Sequence, residues 1–167
     1  SETNAVKLGE LQDNRGDRAL VIIPAEMAFG TGDHATTSSC LRFLADEAGR
    51  RQGESWSMLD LGCGTGVLAI AASLLGAAGC EAMDFDTNAV SVARRNVERN
   101  NASGVVVSQS DLDDWVPDNA YDVIVANLFA AVLQRSFEKM AHALAVGGSL
   151  ILSGVLRDQW DDTEKAA

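Results

Sequence analysis

Short, nearly continuous apolar runs alternate along this chain with longer stretches whose apolar residues recur at helical spacing. The runs are "SMLDL" (57–61), "CEAMDF" (80–85), "VVVSQ" (105–109), "YDVIVAN" (121–127) and "SLILSGV" (149–155). Between them, helices are predicted over Thr65–Leu75, stopped by Gly76, and from a Thr87 cap to about Asn100, with Val90, Ala93 and Val97 inward. A further helix is predicted over Ala130–Ala145, amphipathic through Leu133, Phe137, Met140, Ala141 and Leu144. Strands that are apolar on both faces must be covered on both faces. Alternation of such strands with helices therefore predicts an α/β fold, a Rossmann-like, doubly wound, mostly parallel sheet. Ahead of it, "RALVII" (18–23) reads as a strand closed by Pro24, and Ser38–Ala48 as a helix. Leu41, Leu44, Ala45 and Ala48 share its apolar face, and Thr36 or Thr37 serves as its cap. Residues 1–24 are read as an extended segment and 25–167 as a single domain.

Ligands of such sheets bind beyond the carboxyl ends of the strands, near the point where strand order reverses. The polar residues that end strands are accordingly Asp60, Asp84, Ser110 with Asp111, and Asn127. Between the first of these strands and its helix stands "DLGCGTG", with Gly62, Gly64 and Gly66 at two-residue spacing. A dinucleotide fingerprint needs G-x-G-x-x-G, but Val67 occupies the sixth position here, and the phosphate-loop pattern is absent as well. Asp60 would repel a pyrophosphate and welcome a cation. S-adenosylmethionine carries a sulfonium and an ammonium, and its one carboxylate suits a helix N-terminus. Asp84, ending the next strand, stands where an acid accepts hydrogen bonds from a ribose diol. The residues thus point to a nucleoside ligand without a pyrophosphate, S-adenosylmethionine, held by Asp60, Gly62, Gly64, Gly66 and Asp84. Taken alone, the glycines equally suit a tight strand–helix turn.

The chain has 167 residues, 47% of them hydrophobic, enough for one domain with a real core. Its formal charge of −11 argues against a nucleic acid partner and favours a basic one, although such a charge also serves solubility. No apolar stretch has the length of a membrane span, and no leader-like segment opens the chain. Cys40, Cys63 and Cys80 are odd in number and far apart, with no CxxC pair. They carry no metal signature and suit a reducing cytoplasm. The chain opens on Ser1 rather than Met, as a fragment or a processed chain would.

Four segments together, "MAFGTGDHATTSSCLRFL", "LDLGCGTGVLAIAA", "DFDTNAVSVARRN" and "DVIVANLFAAVL", resemble the methyltransferase family that modifies the ribosomal stalk protein L-eleven. The likeness runs from about Ile23 to Leu156 in order and spacing. The glycine motif is common to all class I methyltransferases. The "MAFGTGxHxTT" loop is more specific, as is Asn127, where many amino-group methyltransferases carry N-P-P-[YF]. The resemblance implies that Thr37, Gly62, Asp84 and Asn127 contact S-adenosylmethionine. It also implies that the loop Phe29–His34, through Phe29 and Thr31, closes over the methionine end. It implies a cytoplasmic enzyme acting on protein amino groups, a basic ribosomal protein among them, with no metal, membrane or direct nucleic acid partner. Ala35, Thr87 and Val146 stand where the family usually has Pro, each in a turn. The family's N-terminal recognition domain is not expected here, since fewer than thirty residues precede the loop. The chain is also expected to be truncated at its C-terminal end, two strands short of a full class I fold.

Several residues carry a second reading. Asn127, the candidate catalytic residue that would orient the amine, also suits a helix cap. Asp111 suits either the adenine amino group or a turn cap. His34 stands in a glycine loop, and His142 near a helix C-terminus as a surface residue. Cys63 is read as small rather than nucleophilic, Trp56, Trp115 and Trp160 as packing residues, and Arg94, Arg95 and Arg99 as a solvated face. The alternatives to protein methylation are a small-molecule class I methyltransferase and a non-catalytic S-adenosylmethionine-binding module. A nicotinamide dehydrogenase is disfavoured by Val67 and Asp60.

Overall fold

The computed structural model describes residues 21–24 and 35–166. Its elements are α1 (Ala35–Arg50), β1 (Ser57–Leu61), α2 (Val67–Leu74), β2 (Gly79–Asp84), α3 (Thr87–Arg99), β3 (Val105–Gln109) and β4 (Tyr121–Asn127). After these come α4 (Ala130–Ala143), β5 (Leu144–Ser153), a 3₁₀ turn at Arg157–Gln159 and α5 (Trp160–Ala166). All strand pairs are parallel, in the order β3-β2-β1-β4-β5. The chain runs outward from β1 through β2 to β3, then returns to β1's other side for β4 and β5. The reversal falls between β1 and β4, where Leu61 pairs with Ala126.

Strand periodicity sorts the core into two layers. Met58, Val123 and Val125 join the layer under α1, α2 and α3, with Leu44, Ile70 and Val90. Leu59, Leu61, Ile124 and Ala126 join the opposite layer with Leu133, Phe137 and Met140 of α4. The sheet is therefore covered on both faces, as its apolar strands require.

Three predicted strands, β1, β3 and β4, have the expected ends, and the helices differ mainly at theirs. α1 is longer than expected at both ends, so Thr36 and Thr37 lie in its first turn and do not cap it. α2 begins at Val67, because Gly66 takes the cap position in a left-handed conformation. α3 is capped by Asp86, whose carboxylate accepts from the Asn88 N–H at 2.9 Å; Thr87 is already helical. α4 ends at Ala143 and passes directly into β5, which takes in Gly147-Gly148 and ends at Ser153. The β4–β5 ladder accommodates the glycine pair by a register shift between Tyr121 and Val123. Ala141 is exposed, because the buried stripe of α4 runs through Leu133, Phe137, Met140 and Ala143 and 141 falls beside it.

Residues 21–24 have no regular structure, so the described part of the expected strand 18–23 is not one. Val21 and Ile23 are buried all the same. The Asn100 side chain stands in for a strand partner, accepting from the Ile22 N–H at 2.7 Å and donating to the Ile22 carbonyl at 2.9 Å. Trp56 and Trp115 are buried, whereas Trp160 is 54% exposed at the start of α5. No helix among the described residues is long and apolar enough to cross a membrane.

Candidate functional site

Asp60, Asp84 and Asn127 lie at or next to the carboxyl ends of β1, β2 and β4, and one rule orients all three. Side chains two apart on a strand share a face. Asp60 follows Met58, Asp84 follows Cys80 and Ala82, and Asn127 follows Val123 and Val125. All five of those apolar residues belong to the layer under α1, α2 and α3. The three polar groups therefore converge on the side where the glycine turn enters α2. Asn127 donates through Nδ2 to Thr36 Oγ1 of α1 at 3.4 Å, and among the described residues its Oδ1 accepts no hydrogen bond.

The glycine turn is stitched to the sheet by its own N–H groups. Gly62 and Cys63 both donate to the Met83 carbonyl, at 2.9 and 3.0 Å, and Gly66 donates to the Cys63 carbonyl at 2.8 Å. Gly64 donates to Asp84 Oδ2 at 2.9 Å, while Asp84 Oδ1 accepts from Asp86 at 3.0 Å. A phosphate cradle needs such donors free; here four of them are already bonded within the chain, beside two carboxylates. What comes close to the glycines is partly the chain itself. A Cβ on Gly66 would lie 3.1 Å from that of Ala93, and one on Gly62 would collide with Leu128.

Asp60 is 1% exposed. Its Oδ2 accepts from the Ala69 N–H at 3.3 Å, one of the donors that the first turn of α2 cannot satisfy internally. Its Oδ1 is buried with no hydrogen-bond partner, and so is the hydroxyl of Thr37, in the first turn of α1. Burial pushes the Asp60 carboxyl up to about 7; the Ala69 N–H opposes this and the charge of Asp84 adds to it. Buried oxygens without partners are uncommon in native proteins and mark places where water or a ligand completes the bonding.

Three positions went unsingled in the sequence. Asn96, 1% exposed on α3, donates to the Thr65 carbonyl at 3.0 Å and ties the glycine turn to that helix. Its signal was a lone amide on the inward side of an amphipathic helix. Phe85, 72% exposed beside Asp84, and Phe129, 81% exposed two residues beyond Asn127, present aromatic rings at the same end of the sheet. Their signal was an aromatic directly after a strand-end polar residue.

Of the remaining candidates, Asp111 is exposed, and its Oδ1 accepts from the Asp113 N–H at 2.9 Å, closing its own turn. Its neighbour Ser110 donates to the Asp84 carbonyl at 3.0 Å, which keeps Asp111 at the same rim. Cys63 is buried and burial raises its thiol pKa, so it is no nucleophile. His142 is exposed in the last turn of α4. Phe29, Thr31 and His34 lie outside the described residues. A cleft of about 420 Å³ lies elsewhere, along α3 and β3, between Val90, Arg94, Glu98 and Gln109. The Arg94 guanidinium there is already bonded to the Val107 carbonyl. No group of three or more metal-ligating side chains occurs among the described residues.

The sheet order, the glycine turn after β1 and the polar strand ends together define the Rossmann-like fold of class I methyltransferases. The family model for Ribosomal protein L11 methyltransferase (PrmA) matches residues 6–167, and the chain belongs to that family. It is 39% identical over 149 residues to the Ribosomal protein L11 methyltransferase of Xanthomonas euvesicatoria pv. vesicatoria, covering 89% of this chain and 48% of that one. To the protein of the same name from Thiobacillus denitrificans it is 43% identical over 136 residues, covering 81% and 43%. The crystal structure of the ribosomal protein L11 methylase from Lactobacillus delbrueckii subsp. bulgaricus superposes with a TM-score of 0.78 at 27% identity, covering 96% of this chain and 79% of that one. The chain thus spans about half the length of the curated relatives it matches.

Proposed function

We propose that this chain binds S-adenosylmethionine at the carboxyl ends of β1, β2 and β4 and supports methyl transfer to an amino group of a protein, of the ribosomal type that its family's name describes. The observation that carries the reading is the convergence of Asp60, Asp84 and Asn127 beside a glycine turn whose donors are already bonded. That surrounding disfavours a pyrophosphate and suits a nucleoside bearing positive charge. Asp84 keeps acceptor capacity on both oxygens for a ribose diol, while Gly64 and Asp86 hold its orientation. Phe85 offers a face on which a base can stack. The unpartnered oxygens of Asp60 and Thr37 supply acceptors for the ammonium end, directly or through water. Phe29 and Thr31, which precede α1 in the sequence, and Asp111, at the rim beyond β3, complete the proposed contacts.

Bound there, the cofactor supplies an electrophilic methyl group that passes from sulfonium to an amine lone pair. The protein's part is alignment, which can be worth about 7–11 kcal/mol when the reacting groups are held in line. A lysine amine, with an ordinary pKa of about 10.4, must be neutral to react. Enclosure at the sheet end disfavours its charged form. The free Oδ1 of Asn127 accepts from the amine N–H and points its lone pair, while Thr36 holds the amide in place. The net charge of −11 draws in a basic protein and repels nucleic acid. The reading places the chain in the cytoplasm, in keeping with three buried free cysteines.

Calorimetry tests the reading directly. S-adenosylmethionine and S-adenosylhomocysteine are expected to bind and NAD is not. Binding of NAD with no response to S-adenosylmethionine would overturn it.

A further inference from the structure

Asn96 stands where a helix gains little from an amide. It is buried on α3, three residues after Ala93, so the two side chains share a face and meet the glycine turn together. The small residue at 93 lets the Gly66 backbone come close. An asparagine inside a helix competes with the helix's own hydrogen bonds, and a buried one needs a partner. Here that partner is the Thr65 carbonyl, to which Asn96 Nδ2 donates at 3.0 Å.

The bond continues in both directions. On one side, Asn96 Oδ1 accepts from Arg99 Nη1 at 2.9 Å. On the other, the Thr65 carbonyl shares a peptide plane with the Gly66 N–H, which donates to the Cys63 carbonyl at 2.8 Å. The Cys63 carbonyl in turn shares a plane with the Gly64 N–H, which donates to Asp84 Oδ2 at 2.9 Å. A guanidinium is thus joined to a carboxylate through three amide groups, each accepting at its oxygen and donating at its nitrogen. Their dipoles run head to tail, positive end at Arg99 and negative end at Asp84, an order in which each bond strengthens the next.

We propose that Arg99 and Asn96 are positioning residues for the cofactor: acting through the glycine turn, they fix the direction of the Asp84 carboxylate, and so its hold on the ribose, without touching the ligand. This rests on the S-adenosylmethionine reading above. Both peptide planes of the turn are pinned at carbonyl and N–H alike. With Gly64 on Oδ2 and Asp86 on Oδ1, the lone pairs left on Asp84 receive the diol from a set direction. Removing the Asn96 amide takes this donor from the buried Thr65 carbonyl and loosens the plane that aims Gly64. Asn100, one turn further along α3, makes as many bonds, to both backbone groups of Ile22 and to the Asn96 carbonyl, but none of these reaches the turn. It is the natural control.

The test begins without cofactor. In ¹⁵N-labelled protein the Gly64 amide proton, carried downfield by its bond to a carboxylate, is expected to move upfield in Asn96→Leu and, by less, in Arg99→Met. It should stay in place in Asn100→Ala. In calorimetry, S-adenosylhomocysteine should bind about tenfold or more weakly to Asn96→Leu and about threefold more weakly to Arg99→Met. Asn100→Ala should keep its affinity even as its unfolding midpoint falls. Arg99 is exposed, so its variant folds whether or not Asn96→Leu does. In an Asp84→Ala background the Arg99→Met loss should vanish, because the line of bonds then has no carboxylate to end on; a merely structural role would preserve it. An unmoved Gly64 signal in Arg99→Met, wild-type affinity in that variant, or the same loss with and without Asp84 overturns this inference alone. Wild-type protein that fails to bind S-adenosylhomocysteine overturns the cofactor reading, and this inference with it.

Discussion

Leu128 is pressed by two glycines from different directions, and the two contacts respond differently to the same substitution. Gly62 has φ +70°, and a Cβ there meets the tip of the Leu128 side chain, with Cγ at 3.3 Å. Gly154 has φ +88°, and a Cβ there meets the Leu128 backbone, with the carbonyl carbon at 2.9 Å and the nitrogen at 3.2 Å. In either position alanine adopts a left-handed conformation that costs about 1–2 kcal/mol. Overpacking adds about 1–3 kcal/mol. Each single variant should therefore lose about 2–5 kcal/mol of unfolding free energy, with Gly154→Ala the worse because a backbone cannot step aside. Leu128→Ala separates the two. Truncating that side chain removes the obstacle to Gly62→Ala but leaves the obstacle to Gly154→Ala in place. Equilibrium unfolding in urea, run as two double-mutant cycles, should show a favourable coupling of about 1–3 kcal/mol for the Gly62–Leu128 pair. For Gly154 and Leu128 the coupling should stay within about 0.5 kcal/mol of zero. Equal couplings, or none for Gly62, would refute the assignment of these glycines to packing against Leu128.

Asp84→Ala should weaken S-adenosylmethionine binding in calorimetry by about 1.5–3 kcal/mol, the usual worth of hydrogen bonds to a charged group; an unchanged affinity would reduce Asp84 to a brace for Gly64. The Asp60 carboxyl is raised from an ordinary 3.8 to about 7, so between those values the folded chain keeps a proton that the unfolded chain has released. Its contribution to stability is complete below about pH 4, declines as pH rises towards 7 and is flat above it. Asp60→Asn should remove that decline, so the difference in unfolding free energy between variant and wild type should grow in the variant's favour from pH 4 to pH 8; a pH-independent difference would count against a protonated Asp60. Asp86→Ala removes the cap of α3 and should lower the unfolding free energy by about 1 kcal/mol, whereas Thr87→Ala should change it little.

The sequence by itself determined the class of fold, the bounds of β1, β3 and β4, and which polar residues stand at the ends of its strands. These are local properties: an apolar run of five to seven residues forms a strand wherever the sheet lies, and polar residues at strand ends fall at one edge of it. Asp60, Asp84 and Asn127 were legible for that reason. Which way they face was not, because it depends on which helix covers which side, and only strand order decides that. Asp60 reads in the sequence as a carboxylate facing a ligand, and the structure buries it beneath α2, where it bonds Ala69 and keeps one oxygen unpartnered. Asp86 rather than Thr87 caps α3, because the chain is still extended at Asp86 as it leaves β2. Gly62 looked like space for a ligand, and part of that space belongs to Leu128, 66 positions further on, brought there by the return of the chain across β1 to β4. Contacts across such a separation are products of topology. The period of a strand or helix is written in its own residues, but the neighbour that each side chain meets is chosen by the order in which the strands assemble.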